Sequence, residues 1–235
     1  MTKVVHIRYA DGTGDSLEVD QATNCLQLKR LIQDEKGIPV KCQTFYDGSE
    51  MVENDEQVNG GQVLRVVTIL KNLNPDSLCR YAATKGNLEM LKWARENGCP
   101  WNEWTCAGAA QNGHLEVLKW ARENGCPWDE WTCSGAAWNG HLEVLKWARA
   151  NGCPWNKSTC TCAAFNGHLE VLKWARENGC PWDELTCSRA AFNGHLEVLK
   201  WARENGCPWD VWTSSLARWN RNLEVLEWAR SNGCP

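Results

Sequence analysis

The chain has 235 residues, of which 43% are hydrophobic and 23% charged, and its formal net charge is −4. This composition is typical of globular protein with one or two cores, and the absence of a basic block argues against nucleic acid or anionic membrane as a partner. Neither a signal peptide nor an apolar run long enough to cross a bilayer is present, so we expect a cytoplasmic or nuclear protein.

The amino-terminal region begins with a pattern that predicts a β-hairpin. In "KVVHIRY" the residues Val5, Ile7 and Tyr9 alternate with others, which is typical of a strand with one buried face. The stretch "DGTG" then predicts a turn, and "DSLEV" predicts the returning strand.

A helix and two further strands are predicted next. The stretch "NCLQLKRLIQDEKG" is typical of a helix, with Asp20 or Thr23 as its N-cap. Short strands are predicted over residues 43–46 and 62–69. The resulting ββαββ order indicates an α+β domain over residues 1–72.

This first domain resembles ubiquitin, most specifically in "LIQDEKGIP" and also in "LEVD". The resemblance implies a ubiquitin-like β-grasp fold whose apolar recognition patch aligns with Ala10, Phe45 and Val67. It therefore implies docking on ubiquitin receptors or the proteasome. The chain continues through "VLRVVTILKN" into the next region without a terminal Gly-Gly, so we do not expect conjugation to other proteins.

The remaining chain, residues 73–235, is a predicted second domain built from a repeat. The glycine of the recurring "NGH" is found every 27 residues, and six units of this length fill residues 74–235. Such a period is typical of stacked units, each of which buries its apolar face only against its neighbours.

Each unit predicts two short helices. In "DEWTCSGAAWN", residues 129–139, Asp129 can cap the first helix, and three small residues form one buried stripe: Cys133, Ala136 and Ala137. The second helix, residues 141–151, is expected to bury four side chains: Leu142, Val144, Leu145 and Ala148. The Gly and Pro of "NGCP" then end it.

The stretch "AAWNGHLEVLKWARENG" resembles the core of an ankyrin repeat, and the resemblance extends over all six units. It implies an all-α ankyrin-like solenoid that binds a protein partner. The unit is about six residues shorter than an ankyrin repeat, because "GCPWDEWT" stands where the β-hairpin finger would be, and "WTCSG" replaces the usual Thr-Pro-Leu-His. Binding through such fingers is therefore not expected.

The histidines do not predict catalysis. Four of them occupy one equivalent position in successive units: His114, His141, His168 and His195. Packed layers are roughly 10 Å apart, which is too far for a catalytic pair. Since no nucleophile–base arrangement or phosphate-binding loop is present either, we predict a structural role for these histidines, and no enzymatic activity or cofactor.

The 14 cysteines leave two readings open. Most units carry one Cys after the helix-ending Gly and a second one seven residues later, whereas zinc ligands are usually paired two to four residues apart. Only Cys160 and Cys162 come close to that spacing, and Ser214 replaces the second Cys in the last unit. The pattern favours buried free thiols; a zinc- or redox-responsive thiol protein is the alternative.

The tryptophans form three rows. One row lies in the second helix and another follows the loop Pro, and both are predicted to be structural. The third row opens the first helix with Trp104, Trp131 and Trp212, and is interrupted by Ser158 and Leu185.

The most variable positions predict a binding surface. One position follows the Ala-Ala pair and another precedes it, and because they are three residues apart they are neighbours on the helix surface. We expect a partner-binding strip with these members: Gln111, Trp138, Phe165, Phe192, Trp219 and Arg189. The alternative is that the rings only cover the turn.

The favoured function is a monomeric, non-enzymatic adaptor in which the repeats bind a protein and the first domain docks on the ubiquitin–proteasome machinery. A scaffold whose first domain only caps the solenoid is the alternative. The polar residues Arg218, Arg221 and Asn222 would then cap the other end.

Overall fold

The computed structural model describes residues 2–9, 14–36, 43–47, 50–53, 56–59, 63–68, 75–96 and 98–235. The chain divides into two compact units, Met1–Ala82 with Asn87–Pro100, and Ala83–Gly86 with Trp101–Pro235. The domain boundary expected at residue 72 stays a prediction.

The first unit contains a five-stranded mixed sheet with the order β2-β1-β5-β3-β4. Its strands and helix are β1 (Thr2–Tyr9), β2 (Gly14–Asp20), α1 (Cys25–Lys36), β3 (Gln43–Asp47), β4 (Glu50–Met51) and β5 (Val63–Thr68). Strand β1 pairs antiparallel with β2 and parallel with β5, and β3 pairs antiparallel with both β5 and β4. The predicted hairpin and helix are confirmed, and the two-residue strand β4 was not expected.

The hydrophobic core beside this sheet confirms that alternate residues of β1 are buried. Val5 and Ile7 are buried and pack with apolar residues of β2, α1 and the following loops: Val19, Cys25, Leu28, Ile32, Val52 and Val58. The side chain of Tyr9 lies outside the described part.

The predicted N-cap of α1 is wrong. Asn24, and not Asp20 or Thr23, caps the helix: its side chain accepts a hydrogen bond from the Gln27 amide, and the Gln27 side chain accepts one from the Asn24 amide. This reciprocal arrangement is a capping box, in which two otherwise unpaired amides are satisfied at once.

Repeated helix pairs make up the rest of the described chain. The first pair is α2 (Pro75–Thr84) and α3 (Leu88–Glu96). Ten helices of nine residues follow in residues 101–235, as α4 (Glu103–Gln111), α5 (Leu115–Glu123), α6 (Glu130–Trp138), α7 (Leu142–Ala150), α8 (Lys157–Phe165), α9 (Leu169–Glu177), α10 (Glu184–Phe192), α11 (Leu196–Glu204), α12 (Val211–Trp219) and α13 (Leu223–Ser231). The prediction of two short helices per unit is confirmed.

The helix boundaries follow from local chemistry. Asp129 accepts a hydrogen bond from the Trp131 amide and so caps α6. Gly140 and Gly152, which follow α6 and α7, have φ of 75° and 82°, a conformation that glycine adopts without strain. The Cys153 amide then folds back and donates to the Ala148 carbonyl at 2.9 Å.

The small-residue stripe of each first helix is buried as predicted. Cys133, Ala136 and Ala137 are inaccessible, and so are Leu145 and Ala148 of the second helix. Leu142, which was expected to face inward, is only half-buried. The first helices of consecutive units contact one another from α4 to α12.

Side chains of one unit also bind the backbone of the preceding unit. The Trp138 carbonyl accepts hydrogen bonds from Asn166 Nδ2 at 2.9 Å and from His168 Nε2 at 3.0 Å, and Phe165 is bound in the same way by Asn193 and His195. Each turn is thereby tied to the next unit.

None of the helices that the structure describes is both long and apolar enough to cross a membrane.

Candidate protein-binding surface

The residues of the predicted strip lie side by side on the first helices. The rings of Trp138 and Phe165 are stacked with centroids 4.9 Å apart, and Phe165 and Phe192 follow at 6.2 Å. Phe192 contacts Trp219 edge-on at 6.1 Å. The four side chains therefore form one continuous aromatic row, which we call the carboxyl-side row because it lies at the ends of the helices.

Exposure along the carboxyl-side row is greatest at its last member. Trp138 is 37% exposed and Trp219 76%, while Phe165 and Phe192 are half-buried between their neighbours. Gln111 extends the row at its other end as an exposed polar residue, and Arg189 is exposed with its guanidinium 6.0 Å from the Phe165 ring centroid.

A second exposed row lies at the beginnings of the first helices, and it was not predicted from the sequence to be part of the binding surface. Trp104 and Trp131, at the beginnings of α4 and α6, are stacked 6.0 Å apart and are 40% and 50% exposed. Leu185 and Trp212 occupy the same position in later units and are exposed to 44% and 62%. We call these four residues, interrupted at Ser158, the amino-side row.

The two rows share one face of the first helices. Trp131 and Trp138 are seven residues apart in α6, which is about two turns, so they project from the same side and are separated by roughly 10.5 Å along the axis. Glycines lie between the rows in α4 and α6, at Gly108 and Gly135. We call this surface the first-helix face.

The tryptophans of the other two rows are arranged differently. Each ring that follows the loop Pro meets the second-helix ring of its own unit nearly edge-on, as Trp128 meets Trp147 at 6.0 Å and 68°. The guanidinium of Arg122, from the preceding unit, covers the Trp128 ring at 4.1 Å from its centroid, and the pattern recurs in the next three units. These half-buried rings thus join units, as their predicted structural role requires, and the arginine contact was not foreseen.

Carboxylates precede both tryptophans of the amino-side row in α4 and α6: Glu103 and Glu130 are their neighbours in the chain, and Asp129 accepts a hydrogen bond from the Trp131 amide. Burial is the main cause that raises the pKa of Asp129, and the nearby charges of Glu130 and Glu103 raise it further. The cation at the equivalent position of the next unit, Lys157, is paired with Asp183 at 2.7 Å. The charge beside Trp104 and Trp131 is therefore negative.

Most of the described cysteines are buried, and Cys99 and Cys162 are half-buried. None of those that the structure describes forms a disulfide. Cys126, which is inaccessible, donates from its thiol to the Asn102 carbonyl at 3.5 Å, and its hydrogen bond with Cys106 raises the pKa of the Cys106 thiol. Within the described ranges no three His, Cys, Asp or Glu side chains are grouped so that they could hold a metal ion.

The predicted ubiquitin-like patch is described only in part. Ala10 lies outside the described residues. Phe45 and Val67 belong to β3 and β5, where the backbone register sets Phe45 opposite Val66 and Val67 opposite Thr44. Their side chains are not described, and the patch stays a prediction.

Comparison with known proteins identifies the repeats. Residues 106–149, 131–176 and 160–203 match the family model for ankyrin repeats (many copies). The solved structures that match include the ankyrin repeat domain of human ASB11, which is 19% identical, with a TM-score of 0.54 over 67% of this chain and 84% of that chain. No curated protein sequence matches the chain.

Residues 106–203 are therefore ankyrin repeats, and the helical array has the fold of an ankyrin solenoid. Ankyrin repeats indicate a role in protein–protein interaction, and their fold is typically a non-enzymatic binding scaffold.

Proposed function

We propose that the protein is an interaction adaptor whose first-helix face binds a protein partner. The observation that carries this proposal is the pair of exposed aromatic rows on one side of the array. Trp131, Trp212 and Trp219 are each at least half exposed. Exposed aromatic patches of this extent are uncommon on a non-interacting surface, and Trp anchors contribute disproportionately to interface energies.

The sequence variation supports the same conclusion. Residues that join units are nearly constant from one unit to the next, whereas the rows of the first-helix face change among Trp, Phe, Leu, Gln and Ser. A position that served only the fold of the array would be under the same packing constraint in every unit. Variation concentrated on this face is what a specific partner requires.

The test is to replace aromatic residues by what other units carry at the same position. Trp138→Gln imitates Gln111, so the fold accepts it, and Glu123→Ala imitates Ala150 on the second helix as a control. Proteins captured by the full-length chain should be lost with Trp138→Gln combined with Phe192→Gln and retained with Glu123→Ala. Equal capture by all variants, at unchanged stability, would contradict the proposal.

We further propose that the first domain is ubiquitin-like and docks on the ubiquitin–proteasome machinery. Support comes from the strand order β2-β1-β5-β3-β4, the parallel pairing of β1 with β5, and the helix between β2 and β3, together with the "LIQDEKGIP" stretch. Two binding modules in one chain raise the local concentration of one partner near the other.

Docking can be tested on the full chain. A proteasomal ubiquitin receptor is titrated into the ¹⁵N-labelled protein, and the amide signals of β3 and β5 should shift, with the effect lost in Phe45→Ala. Absence of any shift at millimolar receptor would favour a domain that serves only as the amino-terminal cap of the array.

A further inference from the structure

We infer that the partner segment bound by the first-helix face carries a basic side chain that stacks on Trp131, and a large apolar side chain three residues away that contacts the Trp138–Phe165 pair. This inference rests on the proposed function of that face, and it specifies the chemistry of the partner: an extended peptide with Arg or Lys at one position and an aliphatic or aromatic residue at the third position after or before it.

One face of Trp131 is left without a ring by the interruption of the amino-side row. The ring of Trp104 stacks on Trp131 from the preceding unit, with an interplanar angle of 28°. The following unit contributes Ser158, which has no ring to cover the other side. A planar guanidinium or the stem of a lysine fits against such an indole face, as the chain's own Arg122 does on Trp128.

The negative charges near Trp131 favour a basic side chain in the partner. Glu130 is next to Trp131 in the chain, and Glu103 and Glu130 are both close enough to Asp129 for their charges to act on it. The neighbouring Lys157 is held by Asp183. An aromatic surface bordered by carboxylates attracts a basic side chain through both the ring and the ion-pair contribution, and it disfavours an acidic one.

The spacing of the two rows sets the spacing in the partner. About 10.5 Å separates Trp131 from Trp138 along the helix axis. An extended chain advances roughly 3.3 Å per residue, so three residues span about 10 Å. Since Trp138 and Phe165 form a stacked apolar pair at 4.9 Å, an apolar side chain three residues from the basic one reaches it.

The experiment selects binders from a phage-displayed library of random dodecapeptides on the full-length protein and remeasures them as synthetic peptides by calorimetry. Two variants introduce residues that another unit carries at the equivalent position. Glu130→Lys introduces the lysine of position 157 next to Trp131, and Ser158→Trp introduces the tryptophan of position 131 where the amino-side row is interrupted. Glu123→Lys makes the same charge change on the second helix and is the control.

The expected result is a set of peptides with Arg or Lys three residues from a large apolar residue. Their dissociation constants should rise about tenfold with Glu130→Lys and at least as much with Ser158→Trp, and should stay within about twofold with Glu123→Lys. Binding should also weaken as salt rises.

The failures are distinguishable. Peptides that lack a basic residue, ignore Glu130→Lys and still lose binding with Trp138→Gln would overturn this inference and leave the proposed binding face standing. Peptides with the basic and apolar residues seven apart would replace the extended segment by a helix and overturn the stated spacing. If no peptide is selected, or if binding is equal in all variants, both the inference and the proposed function fail.

Discussion

The two sides of the repeat array use the same amino acid for different purposes. On the second-helix side, a Trp equivalent to Trp147 is found in all six units and one equivalent to Trp128 in the last five. The two rings meet edge-on, and an arginine from the unit before covers the Trp128 ring. On the first-helix face, Trp131 and Trp138 are replaced in other units by Ser, Leu, Gln or Phe and are exposed to solvent. Residue type alone therefore does not reveal the role of a tryptophan here; its constancy between units and its exposure do.

The tryptophans of the two sides should differ in how much they contribute to the stability of the fold. Trp147→Ala should lower the free energy of unfolding by about 3 kcal/mol, because it removes a large half-buried ring and leaves the edge of Trp128 without a partner. Trp219→Ala should cost less than about 1 kcal/mol, since that side chain is 76% exposed. Urea denaturation of both variants measures the difference. Equal losses would show that the exposed rows are as structural as the second-helix rings.

The constant residues are themselves not equivalent, and two glycines test this. Gly140 and Gly152 both have positive φ, but a Cβ at Gly140 would lie 2.7 Å from the His168 ring, whereas nothing lies within 4 Å of one at Gly152. Gly152→Ala should therefore cost about 1 kcal/mol from backbone strain alone.

Gly140→Ala should cost about 2 kcal/mol, because His168 must also move away from the Trp138 carbonyl that it binds. Thermal unfolding of the two variants is the measurement. If both lose the same stability, the histidine contact contributes little to the joint between units.

The smallest effect concerns pH. Burial lowers the pKa of His141 below its ordinary value of 6.5, against the opposing effect of its hydrogen bond to the Gln111 carbonyl. A base with a lowered pKa in the folded state resists protonation there but not when unfolded. Its contribution to stability is therefore complete above about pH 6.5 and is lost as the pH falls below that value.

Asn222 provides the matched control for this pH effect. At the position equivalent to His141 it donates to the Phe192 carbonyl at 2.6 Å and does not titrate. His141→Asn should keep the melting temperature at pH 7.5 and reduce its decrease between pH 7.5 and pH 5. If the melting temperature of the variant decreases with pH as much as that of the original protein, His141 does not contribute to this decrease.

The helical half of the fold could be predicted closely from the sequence because the same signals recur six times. The helix expected over residues 129–139 is Glu130–Trp138, and its cap at Asp129 and its buried stripe at Cys133, Ala136 and Ala137 are as expected. In the first domain the signals were weaker. Strand β4 has two residues, too few for alternation, and the capping box of Asn24 and Gln27 was passed over although its Asn-x-x-Gln spacing is visible.

The exposed rows of the proposed binding surface could be predicted only in part. Variation between units identified the carboxyl-side row, but periodicity shows which positions are equivalent and not which of them solvent reaches. The exposure of Trp104, Trp131 and Trp212, and the stacking of Arg122 on Trp128, depend on how consecutive units are placed.

The hydrogen bonds between units are made to the backbone of the residues that we propose to bind the partner. The next unit holds Trp138, Phe165 and Phe192 by their backbone carbonyls, through an Asn side chain and a His or Asn side chain in each case. Every amino acid has that same carbonyl oxygen. A substitution in the row therefore changes the exposed side chain without removing the hydrogen bonds between units. On the proposed function, the array can therefore change its partner by substitution in these rows while the hydrogen bonds that join its units are kept.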